Sequence, residues 1–364
     1  MNKSTLIIAE AGVNHNGDLG LARELIDVAA DAGADVVKFQ TFSASTIVTK
    51  NAGKADYQKK ATGAEESQQA MLAKLELPYK AHFDLQAHAE KRGIEFLSSP
   101  FDDDAVRFLL DELKLKRIKI PSGEITNAPL LLRIAERGTK AILSTGMCDL
   151  SDIENALGVL AYGYLKKATS GASRVAFSDA FHSVDGLKAL KENVILLHCT
   201  SDYPAKFEQI NLNAMKTIEA AFGLPTGYSD HTDGIHVSVA AAALGAVCIE
   251  KHFTTDKNLP GPDHKASLNP AELKELVRGI RETDLALGYA MKRPQPGEIS
   301  TRKVARKSIV AARPIEKGEV FSKENLVIKR PGTGISPMNY WSVVGQKAAR
   351  GFEADELIEL ETGR

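Results

Sequence analysis

"TLIIAEAGVNHNGDLGLARELIDVAADAGADVVKFQT", residues 5–41, contains one full turn of the pattern that fixes the architecture. A run rich in branched apolar residues (5–12) gives way to a stretch with apolar side chains three and four apart (20–34). A second branched run (35–41) then follows. Gly33 stands where a helix that ends just before a strand needs a left-handed cap. The first turn, "EAGVNHNGDLG" (10–20), lacks the G-x-G-x-x-G spacing of a dinucleotide-binding unit, which argues against a doubly wound open sheet.

Working outward, the alternation repeats. Further strands are predicted at "IEFLSSP" (94–100), "KRIKIPSGE" (116–124), "KAILSTGM" (140–147), "VILLHCTS" (194–201), "PTGYSDHT" (225–232) and "VCIEKHF" (247–253). Helical patterns such as 102–113, 212–223 and 270–288 lie between them. Gly93, Gly138, Gly223 and Gly245 are placed to cap helices just before the next strand. Eight strand–helix units within residues 1–288 fit a (β/α)8 TIM barrel. Two connections are longer than the barrel needs. Residues 42–65 are polar and irregular, as expected of a lid or wall over the barrel mouth, and 161–193 are expected to form an inserted surface hairpin or subdomain. Residues 289–303 read as a linker, and 304–364, with short strands punctuated by Pro and Gly, as a small mostly-β domain.

Composition excludes several classes. With 46 basic and 47 acidic residues the net charge is −1, so nothing favours nucleic acid or an anionic membrane as partner. Cys148, Cys199 and Cys248 show no C-x-x-C spacing, and the latter two lie in apolar runs as small core residues. No apolar stretch is long enough to span a bilayer, and the N-terminal run is too short for a signal peptide. The cytoplasm is therefore the expected compartment.

Barrel chemistry sits at the C-terminal ends of the strands. Those ends offer Glu10, Lys38 with Gln40, Ser98 with Ser99, Lys119 with Ser122 and Glu124, and Ser144 with Thr145. Thr200 with Ser201, Ser229 with Asp230 and His231, and Glu250 with His252 complete the set. Solvated turns would supply Asn, Asp and Gly, but not lysines inside apolar strands. A lysine there is costly unless an anion meets it. Lys38 and Lys119 with several hydroxyls suit a phosphate or carboxylate, and no Walker loop suggests a nucleotide. His231 and His252 end neighbouring strands, so both face one mouth. Two imidazoles plus oxygens favour Mn2+ or Mg2+. His82 and His88, which do not share a helix face, read as surface residues. His198 reads as a packed barrel residue, and His15 and His264 remain open.

The segments "IIAEAGVNHNGD", "VKFQTF", "FLSSPFD", "IKIPSGE", "ILSTGM", "LHCTSDYP", "GYSDHT", "IEKHFT", "GPDHKAS" and "KRPGTGISPM" together resemble the bacterial sialic acid synthases almost end to end. The last of these belongs to a region that resembles their antifreeze-like SAF module. The resemblance implies a transferase of carbohydrate biosynthesis, for capsule or lipopolysaccharide. It would condense phosphoenolpyruvate with N-acetylmannosamine to N-acetylneuraminate and phosphate. It further implies that Lys38, Ser99, Lys119, Ser122, Ser144, Ser201 and Ser229 hold phosphoenolpyruvate, and that His231 and His252 hold the metal. Glu10, Tyr203 and Asp263 would hold the sugar, Glu124 would act as general base, and Arg330 would cap the partner's site in a domain-swapped homodimer. The chain departs from the family pattern at Ser201, where many members carry asparagine.

An alternative inside the family is N,N'-diacetyllegionaminate synthase, which uses 2,4-diacetamido-2,4,6-trideoxymannose. A polymer- or ice-binding protein would be suggested by the C-terminal module alone. A keto-acid synthase for an aldose phosphate would need a second basic cluster, and the mouth offers only the one around Lys38 and Lys119.

Overall fold

The computed structural model describes residues 4–49, 52–55, 58–59, 66–166 and 169–361. Each branched run forms a strand: β1 (Leu6–Gly12), β2 (Val36–Thr41), β3 (Glu95–Pro100), β4 (Arg117–Ile120), β5 (Lys140–Ser144), β6 (Val194–Cys199), β7 (Thr226–Asp230) and β8 (Cys248–His252). They form one eight-stranded sheet in the order β3-β2-β1-β8-β7-β6-β5-β4, with every ladder parallel. The last strand thus pairs with the first, and β3 and β4, at the two ends of the order, lie side by side. This is the predicted TIM barrel.

Local chemistry sets the boundaries. Asp18 caps helix Leu19–Ala32 by accepting from the Leu21 amide, which is worth about 1 kcal/mol. Asn269 and Glu272 form a reciprocal capping box that starts helix Pro270–Leu287. Gly33, Gly93, Gly138, Gly223 and Gly245 all have positive φ, between 61° and 103°, as cap positions require.

Alternation along the strands stacks the interior in layers. Ile8, Val36, Leu97, Ile142, Leu197 and Cys248 form an apolar plug inside the barrel. Two residues further along the same strands stand Glu10, Lys38, Ser99, Ser144, Cys199 and Glu250, all buried. The outward-facing residues join the large core beneath the helices, with Ile7, Val37, Phe96, Leu143, Leu196 and Tyr228 among them.

Three regions take a form that the sequence reading left open or placed differently. The region 161–193, expected as an inserted surface hairpin or subdomain, is helical: Arg174–His182 and Val184–Asn193 meet at Ser183, whose hydroxyl accepts from the Gly186 amide, and both pack on helix Leu150–Tyr164. Residues 167–168 of it lie outside the described residues. The fourth strand stops at Ile120, and Ser122–Glu124 form a 3-10 turn. Part of the stretch read as linker is helix Glu298–Ala305.

The chain divides into two compact units, Met1–Gly288 and Tyr289–Arg364. In the second, β9 (Ser308–Ala311) pairs antiparallel with β10 (Leu326–Lys329) over a small core of Ile309, Ala311, Ile315, Phe321, Leu326 and Val343. No described helix is long and apolar enough to cross a membrane.

Candidate active site

The polar layer opens into a cavity of about 480 Å3 at the C-terminal mouth of the barrel. It is lined by Glu10, Lys38, Ser99, Lys119, Ser122, Glu124, Ser144, Ser201, Tyr203, Ser229, His231, His252 and Asp263. Every candidate from the first unit therefore shares one space. Arg330 belongs to the second unit, at the exposed end of β10.

The lysines are compensated from within. Lys38 Nζ lies 2.9 Å from Glu10 Oε1 and 3.0 Å from Glu250 Oε2. Lys119 Nζ lies 3.4 Å from Glu250 Oε1, which also accepts from Ser229 Oγ at 2.8 Å. Burial alone would neutralise all four charges. At Lys38 burial is outweighed by Glu10 and Glu250, which raise its pKa above the usual lysine value. At Lys119 burial prevails, and its pKa falls despite Glu250. Burial would raise Glu10 and Glu250, but the surrounding cations hold both carboxyls below the usual range. Lys119 is thus the cation with most to gain from an incoming anion.

The hydroxyls are arranged around this pair. Gly146 donates its amide to Ser122 Oγ at 2.9 Å, and a Cβ at Gly146 would lie 2.3 Å from Ser201 Oγ and 2.8 Å from Ser122 Oγ. Only glycine lets those two hydroxyls close on the same point. Ser144 Oγ is buried with no hydrogen-bond partner, so it is left to donate into the cavity.

The two imidazoles meet as their strands predict, with ring centroids 5.7 Å apart. His231 Nδ1 donates to the Thr200 carbonyl at 2.7 Å, so in the neutral ring Nε2 carries the lone pair. His252 Nε2 lies 3.4 Å from Glu10 Oε2. Tyr203 stacks over His231 at 4.1 Å between centroids. Among the described residues no three His, Cys, Asp or Glu groups gather into a closed metal site. The groups that could hold a divalent ion here are the two imidazoles, which leave its other positions to oxygen.

Glu124 sits at the rim, where Asn127 Nδ2 donates to its Oε2 at 2.7 Å. Burial raises its pKa, and Asn127 opposes this in part, so the carboxyl is a better proton acceptor than an exposed glutamate. Burial likewise raises Asp263.

Other histidines separate cleanly. His82 is fully buried rather than at the surface, bonded to Thr41 Oγ1 at 2.8 Å. His264 is bonded to Thr254 Oγ1 at 2.7 Å, and His15 Nδ1 accepts from the Gly17 amide at 3.0 Å, so both serve turns. His198 bonds the Ile210 carbonyl at 2.7 Å. The central charge of the site, Glu250, had no assigned role in the sequence reading, although it lies on β8 two residues before His252. Cys199 is buried as expected, but it lines the cavity and lies 3.8 Å from His231 Nδ1.

Comparison with known proteins points the same way. A model described as "NeuB family" matches residues 25–292, and one of the SAF domain matches 306–361. The chain is 52% identical to the N,N'-diacetyllegionaminic acid synthase of Campylobacter jejuni, covering 98% of this chain and 99% of the relative. It is 45% identical to the protein of the same name from Legionella pneumophila, over 98% and 93%. Among solved structures, an N-acetylneuraminic acid synthetase from Leptospira borgpetersenii, crystallised with citrate, superposes with a TM-score of 0.66 at 33% identity, over 82% of this chain and 90% of the other.

Proposed function

The chain belongs to the NeuB family, and from that premise we propose that it condenses phosphoenolpyruvate with 2,4-diacetamido-2,4,6-trideoxymannose, releasing phosphate and forming N,N'-diacetyllegionaminate. This takes the alternative weighed from the sequence ahead of N-acetylmannosamine. The relatives at 52% and 45% identity carry the legionaminic name, whereas the N-acetylneuraminic neighbour stands at 33%. The observation that carries the chemistry is the lysine pair, Lys38 and Lys119, buried beside serine hydroxyls in the same cavity as two imidazoles.

In this reading Lys38 and Lys119, with Ser99, Ser122, Ser144, Ser201 and Ser229, hold the phosphate and carboxylate of phosphoenolpyruvate. A Mn2+ or Mg2+ ion held by His231 and His252 would supply the positive charge that polarises the aldehyde of the open-chain sugar. Glu10, Tyr203 and Asp263 hold the sugar so that its aldehyde carbon faces the methylene carbon of the enol. A carbon–carbon bond forms, the aldehyde oxygen takes a proton, and positive character develops on the carbon that bears phosphate. Glu124 removes a proton from the water that adds there. The carbon–oxygen bond to phosphate then breaks as the new hydroxyl gives its proton to the departing phosphate, leaving a keto acid, and the lysines stabilise the departing dianion. The enzyme works in the cytoplasm, and Arg330 serves the site of a second copy in a swapped homodimer.

The test is phosphate release with each sugar in parallel, after EDTA treatment and after Mn2+ is restored. The diacetamido sugar should give the higher kcat/KM, and EDTA should abolish both reactions until metal returns. A higher kcat/KM with N-acetylmannosamine would overturn the assignment.

A further inference from the structure

The lining of the cavity is mostly charged and polar at the strand ends and mostly apolar over the mouth. Its floor carries the lysines, carboxylates, hydroxyls and imidazoles described above. The wall over the mouth comes from residues 42–48, the helix Gln68–Ala73 and its neighbours, with Phe42, Ile47, Met71, Leu72, Leu75 and Phe101 facing the same space. Val13, Phe42 and Leu75 form a buried apolar cluster, with Ile47, Leu72 and Phe101 packed against it, so the wall is a built surface. Gln58 and Gln68 bring the polar groups of this side, and both are amides.

We propose that this wall is the specificity element of the site, selecting an acceptor sugar whose far end is deoxygenated and N-acetylated. The proposal rests on the reading above and extends it to named residues. With the aldehyde at the imidazoles and phosphoenolpyruvate on the lysines, the lining left to meet the remote carbons of the sugar includes Ile47, Met71 and Leu72. A C6 methyl and the acetamido methyl groups gain from burial there. A C6 hydroxyl would surrender its water and find carbon atoms in place of partners. Apolar pockets reject an added hydroxyl by up to about 100-fold. Gln58 Oε1 accepts from the Ala55 amide at 3.0 Å and from Gln68 Nε2 at 3.4 Å, so the two amides are tied to each other at the edge of the wall.

The experiment uses two sugars that differ at one atom: N-acetylmannosamine and its 6-deoxy counterpart, 2-acetamido-2,6-dideoxymannose. Each is assayed with the full chain, phosphoenolpyruvate and Mn2+, with kcat/KM read from phosphate release. The 6-deoxy sugar should be preferred by about 10- to 100-fold. Leu72→Asn and, independently, Ile47→Asn should narrow that ratio at least threefold by improving the hydroxylated sugar, while KM for phosphoenolpyruvate stays constant. Equal kcat/KM for the pair, or variants that lower both sugars alike, would overturn the proposal. If the diacetamido sugar remains the better substrate while the matched pair is not discriminated, the wall falls and the proposed reaction stands. If N-acetylmannosamine surpasses the diacetamido sugar, the proposed reaction falls, and the wall falls with it.

Discussion

Strands β7 and β8 carry buried charge on both faces, and the two faces treat it differently. Facing outward, Asp230 and Lys251 pair at 3.0 Å. Asp230 Oδ1 accepts from the Thr232 amide at 2.8 Å, the Thr232 hydroxyl at 2.8 Å and Tyr228 at 3.3 Å, while Oδ2 accepts from Ser238 at 2.6 Å. Lys251 also donates to the Thr232 carbonyl at 2.5 Å. Facing inward, one residue away on each strand, Ser229 donates to Glu250, and Glu250 meets Lys38 and Lys119 from other strands. Beside them Ser144 Oγ and His252 Nδ1 are buried without partners. The outer network is closed and holds the strand ends that bear His231 and His252. The inner one is incomplete, as a surface awaiting a ligand must be.

The sharpest way to break this contrast is Lys251→Met. Removing one member of a buried pair leaves its partner uncompensated, which costs about 3–5 kcal/mol. We expect a fall of that size in unfolding free energy by denaturant titration, with weaker retention of divalent metal by the folded fraction as His231 and His252 lose their brace. Unchanged stability would show that the outer pair is dispensable and that closure of its hydrogen bonds carries no weight.

His82 offers a second outer-face test, through pH. Burial pushes its pKa down from 6.5 to about 4, against a smaller opposing contribution from the Pro78 carbonyl. The neutral ring bonds Thr41 Oγ1, which in turn bonds Ser98 Oγ at 2.7 Å. The folded-state value lies below the unfolded one, so the unfolded chain binds the extra proton first. The contribution of His82 is complete above about pH 6.5 and is lost as pH falls toward 4, roughly 3 kcal/mol in all at about 1.4 kcal/mol per unit. Unfolding free energies of the parent and His82→Gln should therefore converge as the solution is acidified over that window. Parallel curves would mean that the ring is protonated inside the fold.

How much of this was legible follows from the same alternation. The strands, their parallel order and the inward lysines could be read because period-two patterning and eight units specify a barrel, and a lysine in an apolar run stands out. The outer pair could not be read that way. Asp230 and Lys251 sit next to the histidines in sequence, and only the register of β7 against β8 shows that they turn away from the site. His82 was legible in principle, since it shares a helix face with Leu85 and Ala89, both buried. Comparing it with His88 instead of with its apolar neighbours hid that. The apolar wall was missed because 42–65 was judged by its polar average, although Phe42, Ile47 and Val48 come from its first few residues. Residues 50–51, 56–57 and 60–65 of that connection lie outside the described residues.

The smallest effect probes the inner face. Ser144 Oγ is buried on a strand end and bonds no other group among the described residues, so no contact within the free protein depends on it. Ser144→Ala should accordingly leave the melting temperature unchanged or slightly raised. If the hydroxyl donates to phosphoenolpyruvate, its loss should raise KM for that substrate about tenfold, equivalent to about 1.4 kcal/mol, while KM for the sugar moves little. A structural hydroxyl would give the reverse, a lower melting temperature with KM intact. That result would place Ser144 with the closed network on the other side of the sheet, and the division between the two faces would no longer hold.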